Sequence, residues 1–137
     1  IVLTLVEMIF SPVVARVYHA TPHKFVQPDG DTVSVRLFGT DLYMDAESED
    51  GYTLIRDEVD GYICYAMLSA DGREYASSGI RYNGGAAPSE VSMIVKPHIR
   101  LNAERRTEII EDHKSLLGLD KDSAPQLRAA TSLPDTV

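Results

Sequence analysis

Four Asp-Gly pairs, Asp29-Gly30, Asp50-Gly51, Asp60-Gly61 and Asp71-Gly72, fall between short β-branched and aromatic runs at nearly even spacing. Glycine after aspartate lets the backbone take positive φ where a hairpin reverses, so the stretch from Phe25 to Tyr82 reads as a β-meander. Thr32 to Phe38 alternates, with Val33, Val35 and Leu37 on one face and Thr32, Ser34 and Arg36 on the other, the period of a half-buried strand. Tyr52 to Arg56 is the next regular run. Tyr62 to Leu68 is apolar throughout, which predicts a central strand covered on both faces. The predicted core is Val33, Val35, Leu37, Leu54, Ile63, Tyr65 and Met67.

Around these runs, Val17 to Gln27 enters the first hairpin through Pro28-Asp29-Gly30-Asp31, where Pro28 presets φ for a turn. Gly39 to Asp50 is acidic and predicts a short strand or bend around Leu42, Tyr43 and Met44. Arg73 to Ser77 reads as an edge strand whose charges discourage further pairing. Asn83-Gly84-Gly85-Ala86-Ala87-Pro88 reads as a loop, and Val91 to Val95 as one more short strand before Pro97. From Asn102 the period becomes helical, with Asn102 as N-cap, Glu104 in the first turn and Gly118 as the terminating glycine. Ala103, Ile110 and Leu117, flanked by Ile109 and Leu116, form one apolar stripe. The expected fold is therefore mainly β (α+β): an antiparallel β-meander of about five to seven short strands, with one C-terminal amphipathic helix packed on it or swung away.

Residues 1-15 form an apolar run broken by Glu7, Ser11 and Pro12, too short and interrupted to span a bilayer, which takes about 20 apolar residues. Val13 and Ala15 before Arg16 match the small-residue pattern of a signal-peptide cleavage site, so the run reads as a truncated signal peptide; the alternative is an ordinary first strand or buried helix. The division that follows is a β-meander domain over 16-101, the amphipathic helix over 102-117, and a linker or tail over 118-137. A domain of about a hundred residues buries a modest share of its surface and is expected to gain from a partner.

The net charge of −8 and pI near 4.8 argue against a nucleic acid or an anionic membrane as that partner, because such targets need clustered Lys and Arg. The single cysteine, Cys64, excludes an intrachain disulfide and a cysteine-only zinc site. Within an apolar strand, Cys64 is expected to behave as a small buried hydrophobe beside Tyr62, Ala66 and Leu68. His19 and His23 have the spacing of zinc-binding helix residues, but Pro22 breaks a helix there and no glutamate follows His19, so both read as loop histidines. His98 and His113 are isolated and expected to be exposed. Asp45, Glu47, Glu49 and Asp50 before Gly51 are similar to a calcium loop, yet the glycine comes one residue late and Arg56 stands where a bidentate glutamate is needed. They read as a solvated acidic turn. No nucleophile elbow, phosphate loop or dinucleotide fingerprint is present. No catalytic, cofactor-binding or metal-ligating residue is therefore predicted in this chain.

Taken as an ordered set, Gln27-Pro28-Asp29-Gly30, Val35 to Asp41, Glu49-Asp50-Gly51-Tyr52-Thr53-Leu54-Ile55-Arg56-Asp57, Gly61-Tyr62 to Tyr65-Ala66, and Asp71-Gly72 resemble the N-terminal pro-region of secreted zinc metallopeptidases of the immune inhibitor A family. The resemblance covers roughly Phe25 to Ala103. That family's HExxH helix is not in this sequence, so no catalytic residue carries over and zinc is expected only in a catalytic domain beyond these residues. The resemblance implies a secreted or extracytoplasmic, non-catalytic pro-segment that helps a cognate metallopeptidase domain in the same polypeptide fold and stay latent as a zymogen. A cysteine from such a segment could fill the open position of a catalytic zinc, but a strand-interior Cys64 argues against that role. The competing expectation is a secreted β-hairpin binding or adhesion module, because repeated Asp-Gly-aromatic hairpins also occur in surface repeat proteins.

Overall fold

The structure, a computed structural model, describes residues 16–118. Six strands follow one another, β1 (Val17–Val26), β2 (Thr32–Thr40), β3 (Tyr43–Glu47), β4 (Thr53–Arg56), β5 (Ile63–Leu68) and β6 (Tyr75–Arg81). They form one antiparallel sheet in the order β1-β2-β3-β4-β5-β6, a meander not closed into a barrel. Two helices follow, α1 (Ser89–Ile94) and α2 (Ala103–Leu116). All four Asp-Gly pairs lie at hairpin turns, with glycine φ of +92° at Gly30 and Gly51, +78° at Gly61 and +73° at Gly72. Each of these glycines donates its N–H back across the turn, to Gln27, Ser48, Asp57 and Ser69 respectively.

Directly opposed residues of antiparallel strands share a face, and two rows result. Leu37, Ala46, Leu54 and Tyr65 oppose one another across β2 to β5 on the first face. Arg36, Glu47 and Thr53 oppose one another on the second. The first face carries the apolar core of Val33, Val35, Leu37, Leu54, Ile63, Tyr65, Tyr82 and Val91. Withdrawing a side chain of this size from water contributes roughly 1.5–3 kcal/mol. Tyr82 also donates its hydroxyl to the Ser34 carbonyl at 2.8 Å, so the polar tip of this buried ring is satisfied.

Two expectations are corrected. Met67 is only half-buried, and Tyr82 and Val91 complete the core instead. Val91 to Val95 is not a strand: Ser89–Ile94 is helical, with Val91 buried and Met93 exposed. A strand would have put Val91 and Met93 on the same face, whereas the helical turn sends Val91 into the core and Met93 to solvent. The apolar stripe of α2 is largely uncovered; no residue of this helix is buried, and Leu116 is 83% exposed. The helix is held mainly by polar contacts, including an Arg73–Glu108 ion pair at 2.6 Å and a His113 Nδ1 contact with the Leu42 carbonyl.

Its ends are as expected. Asn102 Oδ1 accepts from the Arg105 N–H at 2.8 Å as N-cap, and Gly118 closes the helix at φ +69°. β5 lies beside the edge strand β6, yet Ile63 to Ala66 are all buried; after β6, Val91 joins the core on the first face, and the Ile99 carbonyl accepts from Thr53 and Tyr75 on the second. The expectations for residues 1-15 and for the tail beyond Gly118 lie outside the described residues.

Candidate functional site

Tyr43, Asp45 and Glu47 alternate along β3 and so share the second face, where the two carboxylates are withdrawn from water. Asp45 is 6% exposed and Glu47 2%. Burying an isolated carboxylate is costly, so the arrangement requires paired donors. Arg100 supplies them, donating to Glu47 Oε2 at 2.6 Å and lying 3.4 Å from Asp45 Oδ2, with its guanidinium over the Phe38 ring. Tyr75 and Tyr43 donate their hydroxyls to Asp45 Oδ1 at 2.8 and 3.2 Å. The His98 ring meets Glu47 Oε1 through Nδ1 at 3.0 Å.

Burial, then the charge of Asp45, pushes the Tyr43 phenol up to about 12 and drives Tyr75 further in the same direction. At Arg100 burial acts to lower the pKa, but the Glu47 hydrogen bond and the charges of both carboxylates outweigh it and hold the guanidinium ionised.

The chain from His98 to Asn102 is fastened over this cluster by two turns of the same design. In Ser48-Glu49-Asp50-Gly51 and Ser69-Ala70-Asp71-Gly72 the serine hydroxyl donates to the aspartate at 2.6 Å. The same hydroxyls accept main-chain N–H groups from the far side of the turn, Tyr52 at 3.0 Å and Arg73 at 3.2 Å. The glycine carbonyls are left facing outward. Gly51 O accepts from the His98 N–H at 2.9 Å and Gly72 O from the Asn102 N–H at 2.8 Å. Four residues of extended chain reach roughly 13 Å, enough to cross the two interstrand steps of about 4.8 Å that separate these hairpins. His98 takes a left-handed φ of +59° to do so.

Asp45 and Glu47 therefore do not belong to a solvated acidic turn as the sequence suggested. Strand alternation buries them, and an arginine more than fifty residues later neutralises them; the alternating Tyr43-x-Asp45-x-Glu47 pattern was the only local signal. Glu49 remains outside and pairs with Arg36 at 2.9 Å, while Asp50 accepts from the Ala87 N–H at 2.8 Å. Arg100, Tyr43, Tyr75 and His98 engage the oxygens of the inner carboxylates and make the cluster a structural lock.

The other singled-out residues do not converge. His19 and His23 are strand residues of β1 and not loop histidines as the sequence suggested: His19 opposes Phe38 and His23 opposes Val35, and the bulge at Ala20, φ +53°, turns the two to opposite faces. Cys64 is buried with Ala66, and burial pushes its thiol up despite a hydrogen bond with Ser77, which disfavours the thiolate needed for attack or metal binding. His113 is exposed on α2, and His98, though its side chain is 68% exposed, is engaged by Glu47.

Among the described residues no group of three or more His, Cys, Asp or Glu side chains could hold a metal ion. No helix among them is long and apolar enough to cross a membrane. The chain matches no family model, no curated protein and no solved structure.

Proposed function

We propose that this chain is the non-catalytic N-terminal pro-region of a secreted zinc metallopeptidase of the immune inhibitor A type, assisting the folding and latency of a cognate catalytic domain that carries the zinc. What supports the reading is where the resembling residues stand in the fold. Gln27 of Gln27-Pro28-Asp29-Gly30 is buried and bonds Ile63 and Tyr82 across the sheet, and Gly51 and Gly72 of the later pairs anchor the chain leading into α2. A shared turn vocabulary alone would not require each piece to make a long-range contact. The uncovered Leu116 and Leu117 at the end of α2, with Met93 and Ile94 on α1, suit a module that rests against a larger partner.

The test is to add the purified chain to the mature peptidase from the same gene and follow both activity and refolding yield. Suppressed peptide hydrolysis and improved recovery of active enzyme are expected. A gene without an HExxH segment, or a peptidase indifferent to the chain in both assays, would overturn the reading. More hairpin repeats in that gene would favour the binding-module alternative.

A further inference from the structure

Asn83 and Gly84 lie in the exposed loop between β6 and α1, and nothing stands within 4 Å of where a Gly84 side chain would begin. An asparagine followed by glycine is open to attack by the glycine amide nitrogen on the asparagine side-chain carbonyl, because no Cβ crowds the approach. Aspartate followed by glycine undergoes the related reaction when its carboxyl is protonated. The chain holds five such steps, and the structure separates them.

In the four Asp-Gly turns the attacking group is already committed. The N–H groups of Gly30, Gly51, Gly61 and Gly72 donate to Gln27, Ser48, Asp57 and Ser69 at 2.9, 3.0, 2.9 and 2.9 Å. Burial alone would raise Asp50, but hydrogen bonds from Ser48 and the Ala87 N–H hold it below the usual carboxylate range; Ser69 and the Arg73 N–H do the same for Asp71. Asn102, the other asparagine of the chain, is fixed as an N-cap by the Arg105 N–H and donates its own amide to the Asp71 carbonyl at 3.1 Å. At Asn83 the situation is reversed. The Gly84 N–H has no hydrogen-bond partner among the described residues, and Asn83 Oδ1 accepts from the Gly85 N–H at 3.4 Å, a contact that polarises the carbonyl to be attacked.

We propose that Asn83 is a site of spontaneous deamidation through a succinimide formed with the free amide nitrogen of Gly84. The Gly84 nitrogen gives its proton to a solvent base and bonds to Asn83 Cγ. The Cγ–Nδ2 bond breaks, and Nδ2 leaves as ammonia after taking a proton from water. One water then opens the ring. Cleavage of the Cγ–N bond restores the original main chain with an aspartate side chain; cleavage at the former main-chain carbonyl routes the chain through Cβ as isoaspartate. One water is consumed, one ammonia is released, one negative charge is gained and no electrons are transferred.

The location gives the event a consequence. Asn83 directly follows Tyr82, whose carbonyl is bonded by Gln27, and it begins the segment that carries Ala87 to Asp50 and Val91 into the core. An extra main-chain carbon at this point shifts that segment against the sheet.

The native chain is incubated in mildly acidic and mildly alkaline buffer, alongside a urea-unfolded sample, and followed by intact mass, peptide mapping and enzymatic isoaspartate detection. The native chain is expected to gain about one dalton, faster at alkaline pH, with aspartate and isoaspartate both mapping to the Asn83-Gly84 peptide. Gly84→Ala and Asn83→Gln are each expected to reduce the conversion to background. Asn83→Gln keeps the glycine at its φ of +92° and so separates chemistry from backbone strain. A native chain that stays unmodified while the unfolded chain converts, or a mass gain mapping to any other residue, overturns the proposal.

Discussion

Gln27 and Tyr82, 55 residues apart, are joined by a 3.0 Å hydrogen bond from Gln27 Nε2 to the Tyr82 carbonyl. The same amide accepts from the Ile63 N–H at 2.9 Å, so one side chain bonds the ends of two other strands and secures the β1–β2 hairpin over the first face. Gln27→Ala leaves a buried donor and acceptor unpaired and is expected to cost about 1–3 kcal/mol for each unsatisfied group. Gln27→Glu keeps the shape but cannot donate to Tyr82, and is expected to destabilise as well. Urea unfolding measures both, and an unchanged midpoint in either variant would remove Gln27 from this role.

The Arg100 lock and the Arg73–Glu108 pair differ in burial, and their energies should differ accordingly. Arg100→Met strips two buried carboxylates of their cation, a class of change worth about 3–5 kcal/mol. Arg73→Met breaks a pair whose partners are both more than a third exposed and screened by solvent, and is expected to cost far less than Arg100→Met. Equal losses for the two variants in the same unfolding assay would contradict the assignment.

Gly30 and Gly51 share a φ of +92°, so alanine at either pays the same backbone strain. Around Gly30 the space is open, whereas a Cβ on Gly51 would come 2.7 Å from His98 Cε1. Gly30→Ala is expected to cost about 1–2 kcal/mol from the left-handed backbone alone. Gly51→Ala should cost more and should also release the His98 to Asn102 segment, read as faster amide exchange at His98 and Asn102 than in Gly30→Ala.

Ionisation sets an alkaline limit on stability. Tyr43, Tyr65, Tyr75 and Tyr82 all have phenols raised above the ordinary 10.0, chiefly by burial, to about 12 at Tyr43 and Tyr65. Between the unfolded and folded values the unfolded chain has lost protons that the folded chain keeps, so stability is full below pH 10 and falls as pH rises through the folded values. Spectrophotometric titration should show at least four of the seven tyrosines ionising late and together with unfolding. Four independent, reversible titrations without loss of structure would exclude this account.

Acid acts through different groups. Glu108 is held below its ordinary 4.5 by hydrogen bonds from Arg73 and Arg105, and Asp71 below its ordinary 3.8 by Ser69 and the Arg73 N–H. Depressed carboxylates stabilise the folded state above their unfolded pKa, and this contribution disappears as pH falls through the folded value. The expected order on acidification is loosening of α2 and the β5–β6 turn while the apolar first face persists, measurable by residue-resolved amide exchange below pH 4.5.

The meander was legible because its decisive chemistry is local. Gly30, Gly51, Gly61 and Gly72 each relieve the steric cost of a reversal within a few residues, and Asn102 and Gly118 close the two ends of α2 in the same self-contained way. Alternation along β2 likewise identified Val33, Val35 and Leu37 as inward-facing. The Val91 to Val95 pattern was ambiguous because alternate apolar residues suit a strand only where a partner strand is present; here Pro88 opens a helical turn instead.

What the amino-acid order determined by itself is where the chain turns and which side of β2 is apolar, since these follow from interactions within one hairpin. Only the tertiary structure decided that Gln27 would bond the Tyr82 carbonyl, that Asp45 and Glu47 would lie inside rather than in water, and that α2 would keep Leu116 uncovered. The physical reason is distance along the chain. A buried polar group is tolerable only when a partner arrives, and the partners here, Tyr82 for Gln27 and Arg100 for Glu47, come 55 and 53 residues later, beyond the reach of any local pattern.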